Sequence, residues 1–189
     1  MAQAIRGVST LPKKKGKTGK FAFKLLLVGE PEVGKTSLIK RYVDNFFEEG
    51  YQITLGVDFL SKTVMLDVEE GKQELIYQIW DVAGQSGFTN FRHLYLKKAH
   101  GVFLVFDLSR PEETFTKLER WRSDVREQSP NAKIIVIGNK EDLAEGKIPG
   151  SKEEIIEKFE AEEFITTSAK TGSKVEAAFV QMGKLILGE

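Results

Sequence analysis

The stretch KLLLVGEPEVGKTSLIKRYV, residues 24–43, decides how the rest of the chain is read. It opens on a short apolar run of the kind that fills a strand buried on both faces. It closes on a segment in which Leu38, Ile39, Tyr42 and Val43, followed by Phe46, recur at helical spacing. Between the two, Gly29 and Gly34 stand five residues apart and Lys35 and Thr36 follow, the pattern G-x-x-x-x-G-K-S/T. A glycine loop that leaves a strand and opens a helix can turn its backbone N–H groups inward, here from about Glu32 through Val33 and Gly34 to Thr36, and cradle phosphates. Lys35 is then placed to reach β- and γ-phosphates, and the Thr36 hydroxyl to ligate Mg2+. Gly29 and Ser37 complete the nucleotide-binding stretch. The carboxylates of Glu30 and Glu32 must face outward, because phosphate would repel them.

A second Gly-Lys-Thr occurs in KKKGKTGK, residues 13–20. Five residues before its Gly16 stands Leu11 in place of a glycine, and neither flank has the strand or helix pattern. This copy reads as part of a basic arm over residues 1–20, in which Arg6 and five lysines meet no acid and Gly, Ser, Thr and Pro suggest a disordered lead. The whole chain has 28 basic and 28 acidic residues, so the remainder is net acidic. Its 189 residues, 41% of them hydrophobic, suit one globular domain with a core over residues 21–189. With no cysteine there is no disulfide, thiolate metal site or prenyl or palmitoyl attachment, and the Met1-Ala2 start gives no myristoylation signal, so no lipid anchor is expected. No apolar run approaches the length of a membrane span and no secretion signal opens the chain, which points to the cytoplasm. His93 and His100 read as surface or packing residues.

Apolar runs recur at KLLLVG, GVFLVFD and KIIVIGN, each followed by polar loop residues and a helix-like segment. That rhythm predicts an α/β fold with a parallel sheet covered on both faces. GVDFLSKTVMLDV and QELIYQIWD, joined by Glu69-Glu70-Gly71-Lys72, read as a hairpin, so the sheet is expected to be mixed. Helical periodicity follows Pro111 (Phe115, Leu118, Trp121, Val125) and marks the C-terminal segment (Val175, Phe179, Met182, Ile186). Ligands of such sheets sit at the carboxyl ends of the strands, and the remaining motifs fall there.

LIYQIWD ends in Asp81-Val82-Ala83-Gly84-Gln85. An acid at a strand end behind a phosphate loop suits the magnesium shell, with Asp81 acting through water, and Gly84 can bring its N–H to a γ-phosphate. KIIVIG ends in Asn139-Lys140-Glu141-Asp142, which selects the base. Guanine offers N1–H and an exocyclic N2–H2 side by side, and the Asp142 carboxylate can accept both, whereas adenine has a lone pair at N1. Asn139 is expected at the N7/O6 side, with the Lys140 stem along the ring. The segment TSAKTG, residues 166–171, follows the short run EFIT, and its Ser168 reads either as a helix cap or as part of the site.

The order GxxxxGKT, DxxGQ, NKxD and SAK resembles the Ras superfamily of small GTPases, and YQITLGVDF with QIWDVAGQ is most similar to its Rab branch, over about residues 21–186. The resemblance implies a single P-loop GTPase domain with a six-stranded sheet, mostly parallel with one antiparallel edge strand, and about five helices on both faces. It makes Thr54 the switch threonine, meeting Mg2+ through its hydroxyl and the γ-phosphate through its backbone, and places Phe47 against the guanine. The alternative readings of these two are a strand and a core residue. It also gives the Ala169 N–H to guanine O6, sets Lys170 beside the ring, counts Ser168 among the nucleotide-binding residues, and has Gln85 orient the attacking water, so that Gln85, Lys35, Thr54 and Gly84 form the catalytic set. Phe59, Trp80 and Tyr95 are implied as an effector patch, with packing against the sheet as the alternative.

Several positions depart from the family pattern. Pro31 stands where glycine is common and has no N–H; it also lies where an activator's arginine must enter. Val82 replaces the usual threonine, Ser86-Gly87 replaces a Glu-Arg pair that exchange factors contact, and the C-terminal cysteines of Rab proteins are missing. The expected function is a GTP- and GDP-binding switch with Mg2+ that hydrolyses GTP slowly and meets effectors, an exchange factor and an activator. Two rivals are a non-hydrolysing GTP-dependent binding module and a nucleic-acid-associated GTPase acting through the arm. Residues 1–20 are otherwise suited to reversible contact with an anionic membrane, or to being a solvated tail.

Overall fold

The three apolar runs become β1 (Phe21–Val28), β4 (Gly101–Asp107) and β5 (Lys133–Asn139), the inner strands of a six-stranded sheet. β2 (Val57–Val68), β3 (Gly71–Val82) and β6 (Glu163–Thr166) complete it in the order β2-β3-β1-β4-β5-β6. Only β2 with β3 is antiparallel; β1 with β3, β1 with β4, β4 with β5 and β5 with β6 run parallel. The computed structural model describes residues 21–50, 54, 56–69, 71–84, 89–144, 146 and 148–189. The basic arm, Gln85, Ser86 and Gly87 lie outside the described residues.

Every residue of β4 is buried, as expected of a strand covered on both faces. Alternation along β1 sends Leu25 and Leu27 into one core and Leu26 and Val28 into the other. The first core is closed by α1 (Lys35–Asp44) and α6 (Val175–Leu187), where the rings of Tyr42 and Phe179 stack at 3.7 Å between centroids. The second is closed by α2 (Thr89–Leu96), α4 (Leu118–Gln128) and α5 (Lys152–Phe159) through Leu96, Trp121, Val125, Ile155 and Phe159. A single-turn helix, α3 (Pro111–Thr114), precedes α4 and starts on the proline, whose fixed φ suits a first helical position. Phe115, Leu118, Trp121 and Val125 are all buried, as their spacing predicts.

Two local expectations change. The hairpin register runs from Val57↔Val82 to Val68↔Gly71, so Gly71 and Lys72, expected in the connection, belong to β3. Gly71 adopts φ 108°, open to a residue without Cβ, and β3 resumes there at once. Helix α1 stops at Asp44 because Asn45 turns left-handed (φ 52°) and returns its N–H to the Lys40 carbonyl. Phe46 therefore leaves the helical face and is 52% exposed, whereas Phe47 packs against the first core.

Candidate functional site

All five parallel strands point their carboxyl ends to one edge, where a cleft of about 250 Å³ is lined by both ends of the sequence motifs. Glu32, Gly34, Lys35, Thr36 and Ser37 line it from the β1–α1 loop; Phe47, Thr54 and Gly84 from the two segments beside it; and Asn139, Lys140, Asp142, Ala169 and Lys170 from the β5 and β6 loops. Gly29 and Val33 build the loop from beneath, with Val33 fully buried.

The loop's shape depends on its glycines at close quarters. Gly34 has φ 93°, and a Cβ there would lie 2.3 Å from the Asn139 amide nitrogen. Gly84 passes so close to the loop that a Cβ would lie 2.5 Å from the Pro31 nitrogen. Lys35 is buried and its ammonium donates to the carbonyls of Gly29 (3.0 Å) and Glu30 (2.8 Å). A cation is thus held under the loop. Glu30 turns away from the cleft, accepting from Trp121 Nε1 at 3.2 Å and pairing with Lys117 at 3.3 Å, whereas Glu32 lines the cleft with its carboxylate paired to Arg110 at 3.5 Å.

Thr36, Thr54 and Asp81 meet in space from three separate elements. The Thr36 and Thr54 hydroxyls are 2.8 Å apart, Thr36 donates to Asp81 Oδ2, and Thr54 Oγ1 lies 3.4 Å from the same oxygen. The other oxygen, Oδ1, is buried with no hydrogen-bond partner among the described residues. Burial pushes the Asp81 carboxyl up from its ordinary pKa, against the opposing pull of the Thr36 hydrogen bond, the Lys35 charge and Thr54. A set of hard oxygens with one orphaned carboxylate oxygen is suited to a small divalent cation such as Mg2+.

On the far side Asn139 joins three segments. Its amide nitrogen donates to the Val33 carbonyl (2.9 Å), and its oxygen accepts from Thr167 Oγ1 and the Ala169 N–H, each at 3.2 Å. The sequence places both Asn139 and the Ala169 N–H at the base edge; here they bond to each other, because Asn139 is buried at the end of β5 between the two loops. Ser168 caps no helix, since α6 opens on Lys174; it accepts the Thr171 N–H at 3.1 Å within the β6–α6 loop and donates to Asp142 Oδ1 at 2.5 Å. Lys140 takes a left-handed φ of 65°, with its ammonium 2.7 Å from Asp107, and Lys170 pairs with Glu49 at 2.9 Å. Gln85 lies outside the described residues.

Sequence reasoning missed Arg41, Asp107 and Glu141. Arg41 on α1 donates to the carbonyls of Ala169 (2.8 Å) and Lys170 (2.7 Å), fastening the β6–α6 loop. Asp107 is fully buried and holds Lys140 and Ser109. Burial alone would raise its pKa, but the bonds from Lys140 and Ser109 outweigh that and hold it below the usual carboxylate value. Its signal was present in the sequence, since a lone acid closes the apolar run GVFLVFD as Asp81 closes LIYQIWD. Glu141 binds Thr166, Ser173 and Lys174 and so ties the β5 loop to α6.

The expected effector patch forms a continuous row: the Phe59 and Trp80 rings lie edge to face at 5.2 Å and Trp80 and Tyr95 at 6.3 Å, with Phe59 half-exposed. Among the described residues no helix is long and apolar enough to cross a membrane.

The sequence model of the Ras family matches residues 24–188. The chain is 38% identical over 168 residues to the Ras-related protein RABD2a of Arabidopsis thaliana, spanning 88% of this chain and 80% of that one. It is 36% identical over 171 residues to the Ras-related protein Rab-1 of Theileria parva (88% and 74%), and 37% identical over 167 residues to the Ras-related protein RIC1 of Oryza sativa subsp. japonica (86% and 79%).

Proposed function

Because the chain belongs to the Ras family of small GTPases and its relatives place it in the Rab branch, we propose that it is a molecular switch that binds GTP with Mg2+, hydrolyses it slowly and then releases its effectors. The observation that carries this reading is the convergence of Lys35, Thr36, Thr54, Asn139 and Asp142 on one cleft, with Asp81 bonded behind Thr36 and Ser168 behind Asp142.

In this reading the N–H groups of residues 32–36 and Lys35 hold the phosphates, exchanging the Lys35 contacts to its own loop for contacts to anions. Thr36 and Thr54 are the hydroxyls that would hold Mg2+ directly, with Asp81 acting through water; when bound, the ion neutralises charge on the β- and γ-oxygens. Asp142, oriented by Ser168, accepts the two adjacent donors of guanine, and Phe47, Lys140 and Lys170 flank the ring. Gln85 orients water, while Thr54 and Gly84 sense the γ-phosphate, so that its loss frees both segments. Phe59, Trp80 and Tyr95 are the surface that reports this change to an effector. An exchange factor and an activator act on the same segments, and a role in membrane traffic follows from the Rab likeness.

The test is the affinity for GTP, GDP and ATP with and without Mg2+, followed by single-turnover hydrolysis. GTP and GDP should bind tightly and in an Mg2+-dependent way, and ATP should not compete; equal competition by ATP would sink the reading. The intrinsic rate of Ras, on the order of 10⁻⁴ per second, sets the scale for turnover. Gln85→Leu should retain GTP binding and slow that turnover, since it removes only the group that orients water.

A further inference from the structure

Glu32 is an awkward residue for a phosphate loop. It lines the cleft, its backbone is left-handed at φ 65°, and it brings a negative charge to a place built for anions. Glu30, two residues earlier, is held on both carboxylate oxygens by Trp121 and Lys117. The Glu32 side chain is 48% exposed, and its recorded contact is with Arg110, whose Nη2 donates to Oε2 at 3.5 Å.

Arg110 is itself firmly placed. Its Nε donates to Asp107 Oδ2 at 3.3 Å, and Nη1 lies 3.7 Å from Glu113. Asp107 is buried at the end of β4, and the same Oδ2 accepts Lys140 Nζ at 2.7 Å. A row of alternating charge therefore runs from the phosphate loop to the base-side loop: Glu32, Arg110, Asp107, Lys140. The forked guanidinium spans a carboxylate on each side, which the single ammonium of lysine cannot do with the same directionality.

We propose that Arg110 is a positioning residue of the nucleotide site, holding the Glu32 carboxylate toward the turn between β4 and α3 and off the nucleotide phosphates. The inference rests on the GTP-binding reading above. An ion pair this exposed adds little to folding stability, so its effect falls on binding. Once released, the carboxylate moves freely beside two or three phosphates and repels them. Salt screens that repulsion, which gives it a signature that a packing defect lacks.

The experiment follows release of N-methylanthraniloyl-GDP from the full chain, at low and at raised salt. Arg110→Ala should release it about fivefold faster at low salt, with the gap shrinking as salt rises. Glu32→Gln removes the charge at its source and should slow release. The double variant should behave like Glu32→Gln, with little trace of the arginine loss. If it stays as leaky as Arg110→Ala, Arg110 acts through Asp107 and Lys140 and the proposal is overturned; an unchanged release rate in Arg110→Ala overturns it as well. Should Arg110→Ala fail to fold, Arg110→Gln keeps an N–H donor for Asp107, and the same two comparisons apply. Failure of labelled GDP to bind the unmodified chain, or equal binding of the ADP analogue, would instead count against the nucleotide reading.

Discussion

In the proposed function, base choice turns on the Asp142 carboxylate, which accepts from the Ser168 hydroxyl at the cleft. Asp142→Asn places a donor where guanine N1–H already points, while a xanthine carbonyl can accept it. GTP affinity should fall by on the order of a hundredfold or more, with preference shifting to xanthosine nucleotides. Nucleotide competition checks this, and retained GTP preference would remove Asp142 from base recognition. Gly34 is as restricted. Gly34→Ala forces a Cβ toward the Asn139 amide in a left-handed backbone, which breaks the Asn139 bond to Val33. A loss of about 1–3 kcal/mol in stability is expected, together with loss of nucleotide binding, readable by thermal melting and GTP titration.

Helix α1 does more than follow the phosphate loop, for its Arg41 reaches across to hold the Ala169 and Lys170 carbonyls. Arg41→Ala should cost about 1 kcal/mol of stability but loosen the β6–α6 loop, so that GTP dissociates several-fold faster while the Mg2+ requirement is unchanged. Equal dissociation in the two proteins would show that the loop holds itself. The strands and their order along the chain were legible in the sequence because buried parallel strands read as continuous apolar runs, as in GVFLVFD and KIIVIG. The hairpin turn and the end of α1 were less so. They depend on single backbone choices, Gly71 at φ 108° and Asn45 at φ 52°, which periodicity does not register. Thr36 and Asp81 were legible through motif spacing and Thr54 only through the family resemblance, and the three do meet in space. The reach of Arg41 to the β6–α6 loop was illegible because its partners there are backbone carbonyls more than a hundred residues away, and a carbonyl leaves no mark on a sequence. The bonds by which Asn139 joins Val33, Thr167 and the Ala169 N–H were not legible, because its position in the motif says nothing of how closely the neighbouring loops crowd it.

Over the whole molecule the two cores share one sheet, and the base-side loops are pinned to it by Asp107 and Glu141, both held below their ordinary pKa. In Asp107 the bonds from Lys140 and Ser109 outweigh burial, and in Glu141 the bonds from Thr166 and Lys174 lead. A depressed carboxylate binds fewer protons folded than unfolded, so its stabilisation is complete above the unfolded value and disappears as pH falls through and below about 4. Asp107→Asn should therefore cost about 1–3 kcal/mol near pH 7, with the difference from the unmodified protein narrowing below pH about 4; urea melts across that range provide the check. A constant difference would mean that the Asp107 charge is not what stabilises. The antiparallel β2 has a mechanical meaning on this scale. Because it alone runs against its neighbours, its first residue, Val57, lies beside the last of β3, Val82, and Thr54 arrives at the cleft edge three residues ahead of it. Its far end meets the tail of α6, where the Glu69 N–H donates to Glu189 at 2.9 Å. A slip of two residues along β3 would keep every side chain on its own face yet carry Thr54 about 7 Å from Thr36. The register of β2 on β3 thus sets how near Thr54 comes to Thr36, as the length of a rod sets where its tip arrives.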